Sequence, residues 1–393
     1  MSSLLRSGVR YGHGQAIKRP VLYGWGHSYA LPLRKGHMDR VFTKPTRLES
    51  EEDYALDKND SIVTHVAAGW GHSLIATDHH QVHSFGLNQS GQLGRPCPAP
   101  TATVFSARQW KEDARVQFLA CGREHSHIVV QDKAKDTQLY SFGNNMFGQL
   151  GLGKDKHTAA SGESVRQDTP QLVPFGTAIQ QITCGLDHTI FATEDEVYGM
   201  GWSADGQLGQ GTEDKCLPSK LPLSLPIQKM STSTDFTLLL DKTGSLWTWG
   251  NSEYGQGAQN KVIDRILEPL TIEGAQDVVD VAAGGPFSVF LKDNGKVYTC
   301  GYGALGLGKD TLQTLQLTEV DGLENVERIY AATDYAAALT ANGELFTWGL
   351  NGASGRLGQG HCEHSFKPKH VHIGKRVLDL ALGTHHALAL VEE

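Results

Sequence analysis

Histidine is the side chain best suited to moving protons or holding a metal near neutral pH, and this chain of 393 residues carries 18 of them. Four, His72, His125, His188 and His386, stand three residues after a glycine (Gly69, Gly122, Gly185 and Gly383). Aligned on that spacing, the same position holds Phe236, Phe287 and Tyr335 elsewhere in the chain. Phenylalanine neither transfers a proton nor ligates a metal, so the position calls for a packed planar ring. A second group, His361-Cys362-Glu363-His364 with His370 and His372 beyond it, has the side chains of a zinc site. Structural zinc takes four N or S ligands in closed order, and no second Cys/His pair stands at standard spacing. The phosphate loop Gly-x-x-x-x-Gly-Lys-Ser/Thr and the Gly-x-Ser-x-Gly nucleophile elbow are both absent. The expectation is therefore no catalytic residue, no cofactor and no metal site.

Binding chemistry is better represented. The polar insertion from Leu152 to Gly176 carries Lys154, Lys156, His157 and Arg166. Long loops on a rigid scaffold concentrate binding residues, and a tolerated surface insertion is the alternative. The segment from Gln359 to Arg376 holds Lys367, Lys369, Lys375 and Arg376 against Glu363, a pattern suited to phosphate or RNA; a solvated loop is the other reading. Lys154, Lys156, Arg166, Lys367, Lys369, Lys375 and Arg376 are thus the candidate contacts for a partner or for RNA. The net charge of −8 argues against a bulk polyanion binder, so any nucleic-acid contact must be local.

These residues hang on a repeat. Ile182-Thr183-Cys184-Gly185-Leu186-Asp187-His188-Thr189, then Val197 to Trp202, then Gly206-Gln207-Leu208-Gly209, reads as two strands, a turn, a third strand and a Gly-Gln-Leu-Gly step. The same order recurs about every fifty residues, a period that means a solenoid, a propeller or an array. Six glycines end the third strand, from Gly86 through Gly143, Gly201, Gly250 and Gly301 to Gly349. Short apolar runs such as Leu238-Leu239-Leu240 alternate with Asp293-Asn294-Gly295 and Ala341-Asn342-Gly343, and Asn-Gly predicts a two-residue hairpin with positive φ at both central residues. Four short antiparallel strands repeated radially make a propeller blade. Six units are complete and the last stops half-way, while Val21-Leu22-Tyr23-Gly24-Trp25-Gly26 matches an orphan third strand. The C-terminal strands, from about Leu378 to Leu390, are therefore predicted to complete a seventh blade with it, which removes exposed sheet edges. The prediction is all-β: residues 21–391 as one seven-bladed propeller. Residues 36–60 and 95–115 read as connecting loops.

Residues 1–20 form a basic tail. The first 38 residues contain Arg6, Arg10, Lys18, Arg19, Arg34 and Lys35 and no acid, the composition of a mitochondrial presequence; a frayed basic tail is the alternative. The six cysteines are scattered with no Cys-x-x-Cys and read as reduced, structural residues. No run of 18 apolar residues occurs, so no transmembrane helix is expected.

Gly69 to Ser73 (Gly-x-x-His-Ser) and Phe85 to Gly94 (Phe-Gly-x-Asn-x-x-Gly-Gln-Leu-Gly) resemble the repeat of the regulator of chromosome condensation family, from about Val21 to Val391. Gly201 to Gln207, Trp249 to Tyr254 and Gly301 to Gly306 are similar to its mitochondrial branch. The resemblance implies a protein-binding ring that promotes guanine-nucleotide exchange on a GTPase. For the mitochondrial branch it implies exchange on the dynamin-like GTPase of inner-membrane fusion, with peripheral association to that membrane through partners. It also implies a role among mitochondrial ribosome assembly factors and rRNA. No segment matches the exchange wedge of the nuclear member, so no site residue carries over.

Overall fold

The computed structural model describes residues 19–34, 39–56, 62–95, 103–105, 114–160 and 164–393; the rest of the basic tail, through residue 18, lies outside them. The repeat folds into seven four-stranded antiparallel sheets. Blade 1 spans 63–105, blade 2 115–172, blade 3 181–224, blade 4 227–271, blade 5 278–319 and blade 6 326–371. Blade 7 is shared by the two ends of the chain. Val377–Leu382 and His386–Glu392 supply its inner strands, Pro20–His27 and Val41–Arg47 its outer ones. Pro20 pairs with Glu392 and Gly26 with His386 in unbroken register, which is the predicted closure.

The first strand of each blade lines the central channel and packs against the first strands of its neighbours. Between blades, apolar side chains interdigitate: Trp249, Leu239, Leu208, Leu221 and Met230 form one such seam. Burying each aliphatic side chain of this kind is worth about 1.5–3 kcal/mol.

The turns between first and second strands, and the loops between third and fourth, share one end of the channel, here the upper face. The second-to-third hairpins share the lower face. Those hairpins form where expected but with another turn. In 292–296, Lys292 N–H donates to Lys296 O and Gly295 N–H to Lys292 O, and Gly295 rather than Asn294 has positive φ, at 78°. Asp241 to Ser245 and Thr340 to Glu344 repeat this three-residue loop. A type I turn followed by a left-handed glycine meets the strand twist as well as the two-residue turn does.

A larger correction concerns the fourth strands. Val41–Arg47, Thr103–Phe105, Gln167–Leu172 and Ser365–Val371 lie in segments that the sequence presents as connections or polar insertions. All four are outer edge strands; Val41–Arg47, Gln167–Leu172 and the middle of Ser365–Val371 are exposed or half-exposed and interrupted by Pro45, Pro170 and Pro368, which an edge tolerates because its outward N–H groups need no partner.

Candidate functional site

The repeated histidines are fully buried. Each clasps the next blade: His72 Nε2 meets Ser126 Oγ at 2.9 Å, His125 Nε2 meets Thr189 Oγ1 at 3.1 Å, and His188 Nε2 meets Thr232 Oγ1 at 2.9 Å. His386 Nε2 meets Ser73 Oγ at 2.7 Å across the closure. Ser126 and Thr189 in turn donate to the carbonyls of Gln92 and Gln149 in the preceding blade's Gly-Gln-Leu-Gly loop. The Nδ1 atoms have no partner, and burial without a counter-charge lowers the pKa of His72 to about 4 and of His188 and His386 to about 3. Where phenylalanine stands, in blades 4 and 5, the ring only packs; Tyr335 instead donates to Gly383 O at 2.8 Å. The preceding glycine gives the ring room, since a Cβ on Gly69 would lie 2.6 Å from His72 Cε1.

The residue just before each ring sits at the upper mouth of the channel. In all seven blades its carbonyl accepts from the residue after the third-strand glycine at 2.8–2.9 Å, from Asn144 to Glu124 and from Trp202 to Asp187 among them. Further backbone bonds run from turn to turn around the mouth, including Trp70 N–H to Gly122 O and Thr384 N–H to Gly69 O. In blades 2, 3, 4 and 6 this fixed position is acidic: Glu124, Asp187 and Asp235 in a run, and Asp334, which pairs with Arg356 at 3.3 Å. Asp205 and Glu253, from adjoining loops, act on Asp235. One guanidinium, Arg123, lies among these acids: it pairs with the buried Asp187, acts on Asp235, and lies 5.7 Å over the Trp70 ring. Burial, then the Asp205 and Asp187 charges, raise the pKa of Asp235 to about 6, and its Oδ1 has no hydrogen-bond partner. Beside this acidic sector, an open groove lined by His27, Tyr29, Trp70, Arg356 and His385 crosses blades 6, 7 and 1 and reaches Leu186 of blade 3.

Residues 21–389 match the family model described as an RCC1-like domain. The chain belongs to the RCC1-like domain family. A human RCC1-like G exchanging factor-like protein is 31% identical over 98% of this chain and 89% of its own length. The human regulator of chromosome condensation is 25% identical over 98% of this chain and 94% of its own length. The crystal structure of human WBSCR16 superposes with a TM-score of 0.82 at 27% identity, covering 96% of this chain and all of that one. The protein is a propeller of the guanine-nucleotide exchange-factor type.

Within this RCC1-like ring the seven basic candidates are all exposed but do not form one patch. Lys154, Lys156 and Arg166 belong to the upper loop of blade 2, where Lys156 Nζ lies 4.2 Å over the Phe147 ring and Arg166 pairs with Asp168 at 3.2 Å. Lys367 and Lys369 point outward from the fourth strand of blade 6. Lys375 and Arg376 follow at the lower face, where Arg376 donates to Ala341 O. The expected loop from Gln359 to Arg376 is thus part upper loop, part edge strand and part lower connection. Its histidines are spread along it: His364 Nδ1 accepts from Asn351 N–H and His361 Nδ1 from Glu363 N–H, whereas His370 and His372 adjoin on the strand.

Cys300 is buried as anticipated, while Cys121 and Cys184 are half-buried against the channel. The acidic sector was not anticipated. Its signal was available: the residue preceding the ring is acidic in three consecutive repeats.

Proposed function

We propose that this chain is a guanine-nucleotide exchange factor that works in mitochondria, engaging its GTPase with the acidic sector and adjoining groove of the upper face. The observation that carries this reading is the convergence of Glu124, Asp187, Asp205, Asp235 and Glu253 at the channel mouth, on backbone pinned by hydrogen bonds from blade to blade. Exchange needs no covalent step. A GTPase holds its nucleotide through backbone cradles, a lysine and Mg²⁺. A rigid group of carboxylates pressed against that site repels the phosphates and competes for the cation and the lysine. The factor then binds the nucleotide-free GTPase best, and nucleotide weakens the complex by the same factor. The basic, acid-free N-terminal composition supports import. Resemblance to the mitochondrial branch supports the dynamin-like fusion GTPase as target, with inner-membrane association through it.

The test is release of fluorescent GDP from that GTPase by the wild-type chain and by an Asp187→Asn/Asp235→Asn variant. Accelerated release that the variant loses while still folding supports the proposal. No acceleration at any concentration, or equal acceleration by the variant, refutes it.

A second reading, a scaffold in mitochondrial ribosome assembly, is favoured by the outward strip of Lys367, Lys369, Lys375 and Arg376. It predicts salt-sensitive capture of rRNA that is lost on neutralising those four residues. RNase-insensitive recovery of the same partners counts against it.

A further inference from the structure

One side chain in the ring breaks the repeat without serving it. Two residues after the ring position, facing the core, stand Leu74, Ile190, Leu238, Val289, Ala337 and Leu388, but blade 2 has His127. His127 is fully buried, and its Nε2 lies 2.9 Å from Thr189 Oγ1, the hydroxyl that His125 Nε2 already reaches at 3.1 Å. That hydroxyl donates to Gln149 O. Blade 1 builds the equivalent clasp, His72 to Ser126 to Gln92 O, with one imidazole. The second imidazole in blade 2 is therefore surplus to holding the blades together. Burying a polar ring in place of an aliphatic one is costly, and both Nδ1 atoms are left without partners.

A third donor completes the group. Cys184 Sγ lies 3.9 Å from the same Thr189 hydroxyl, and one ligand atom from each of His125, His127 and Cys184 falls within 4.8 Å of the others. The two rings meet edge to face at 5.4 Å, an arrangement in which both can turn a lone pair toward one point. Among the described residues no other group of this composition occurs. Cys184 also lines the upper part of the central channel, which supplies an entry path.

We propose that His125, His127 and Cys184 form a buried binding site for a monovalent soft metal ion, Cu(I), at the seam of blades 2 and 3. Ligand type narrows the metal to those that accept imidazole and thiolate together, copper(I) and zinc. Charge decides between them. Both imidazoles are fully buried and neutral, and the nearest cation acting on His125, Arg123, is already paired with Asp187. Cu(I) with one thiolate gives a net charge of zero, whereas Zn²⁺ leaves an uncompensated positive charge in the interior, a penalty of several kcal/mol. Binding forms two Cu–N bonds and one Cu–S bond, moves each imidazole proton to Nδ1, turns the Thr189 hydroxyl aside, and releases the Cys184 thiol proton to solvent. No electron is transferred.

The experiment is an anaerobic Cu(I) titration of the full chain against the chromophoric chelator bicinchoninate, with Zn(II) in parallel. The wild type should withdraw one Cu(I) per chain, and a Cys362→Ala variant, which lacks the exposed thiol, should match it. His127→Leu, the residue of blades 1, 4 and 7, and Cys184→Ala, the residue of blades 1, 5 and 6, should fold and lose that equivalent. X-ray absorption on the copper-loaded wild type should show two nitrogen ligands and one sulfur, a readout that does not depend on any variant folding. Failure to compete with the chelator, unchanged uptake by His127→Leu, preference for Zn(II), or a sulfur-only shell would each overturn the assignment.

Discussion

Lowering the pH from 7 to 5 should unfold this propeller, and the histidine clasps set the size of the effect. His72, His127, His188 and His386 are fully buried, and burial lowers their pKa values from 6.5 to about 4, 3, 3 and 3. Each folded-state value lies below the unfolded one, so the unfolded chain takes up protons that the native ring refuses. The stabilisation is complete above about pH 6.5 and falls as pH drops toward 3–4, by up to about 1.4 kcal/mol per pH unit for each histidine. At pH 5 the loss approaches about 2 kcal/mol apiece, or roughly 8 kcal/mol for the four, against a total stability of about 5–15 kcal/mol for a typical fold. Urea melts at half-unit intervals from pH 7.5 to 4.5 would measure the slope. The informative variant is His188→Phe, because phenylalanine fills this position in blades 4 and 5, and Thr232 Oγ1 keeps its 2.8 Å bond to Phe236 O. It should remove about 1.4 kcal/mol per pH unit from the slope between pH 4 and 6. A wild-type stability that is flat from pH 7 to 5, or an unchanged slope in His188→Phe, would refute the reasoning.

Four further outcomes follow from the packing. Deleting residues 377–393 removes both inner strands of blade 7 and leaves two open sheet edges, so the product should be insoluble or lose its cooperative melt; a soluble ring with a wild-type melting curve would contradict the closure. Gly69→Ala should cost about 1–3 kcal/mol by driving a methyl into the His72 ring. Gly176→Ala, with nothing within 4 Å and no positive φ, should be neutral or slightly stabilising in the same denaturant melts. Trp249→Phe keeps most of the buried ring but strands Gln207 O, which now accepts from Trp249 Nε1 at 2.9 Å; a loss of about 1–3 kcal/mol in chemical denaturation is expected.

The inner three strands of every blade were legible because each carries its own punctuation. In five of the seven a glycine marks the seat of the ring, a second glycine ends the third strand at positive φ (115° at Gly86, 114° at Gly349), and a third opens the turn that reads Gly-Gln-Leu-Gly in blades 1 to 3. The fourth strand has no such marks. Lys367, Pro368 and Lys369 in the middle of Ser365–Val371 follow the rule for an unpaired edge, where charge and proline discourage further pairing, and from sequence that composition is indistinguishable from a loop. Register offers little help either: the pairing of Gly24 with Thr46 and Gly26 with Phe42 slips between the two, as it does at most third-to-fourth junctions. The acidic sector was hidden for another reason. Its members lie one blade apart in sequence and become neighbours only when the turns are bent around the axis, although the column Glu124, Asp187, Asp235 was open to inspection. His127 was equally visible as the polar member of an apolar column.

The sharing of blade 7 also sets a timetable for the molecule. Pro20–His27 and Val41–Arg47 emerge first, yet the strand that pairs with Pro20–His27 begins at His386, roughly 350 residues later. At about 5–20 residues per second, synthesis leaves that two-stranded hairpin without its sheet for some 20–70 s. An isolated hairpin is marginal in water, and its free edge could pair with any of the six strands of the same role that appear meanwhile. Blades 1 to 6 can each form as they are made, because their four strands are contiguous; the ring as a whole is decided by its last eight residues. Until then the first strands lack their native partner, and a newly made chain is expected to be more prone to strand mispairing and aggregation before its last eight residues are made than after.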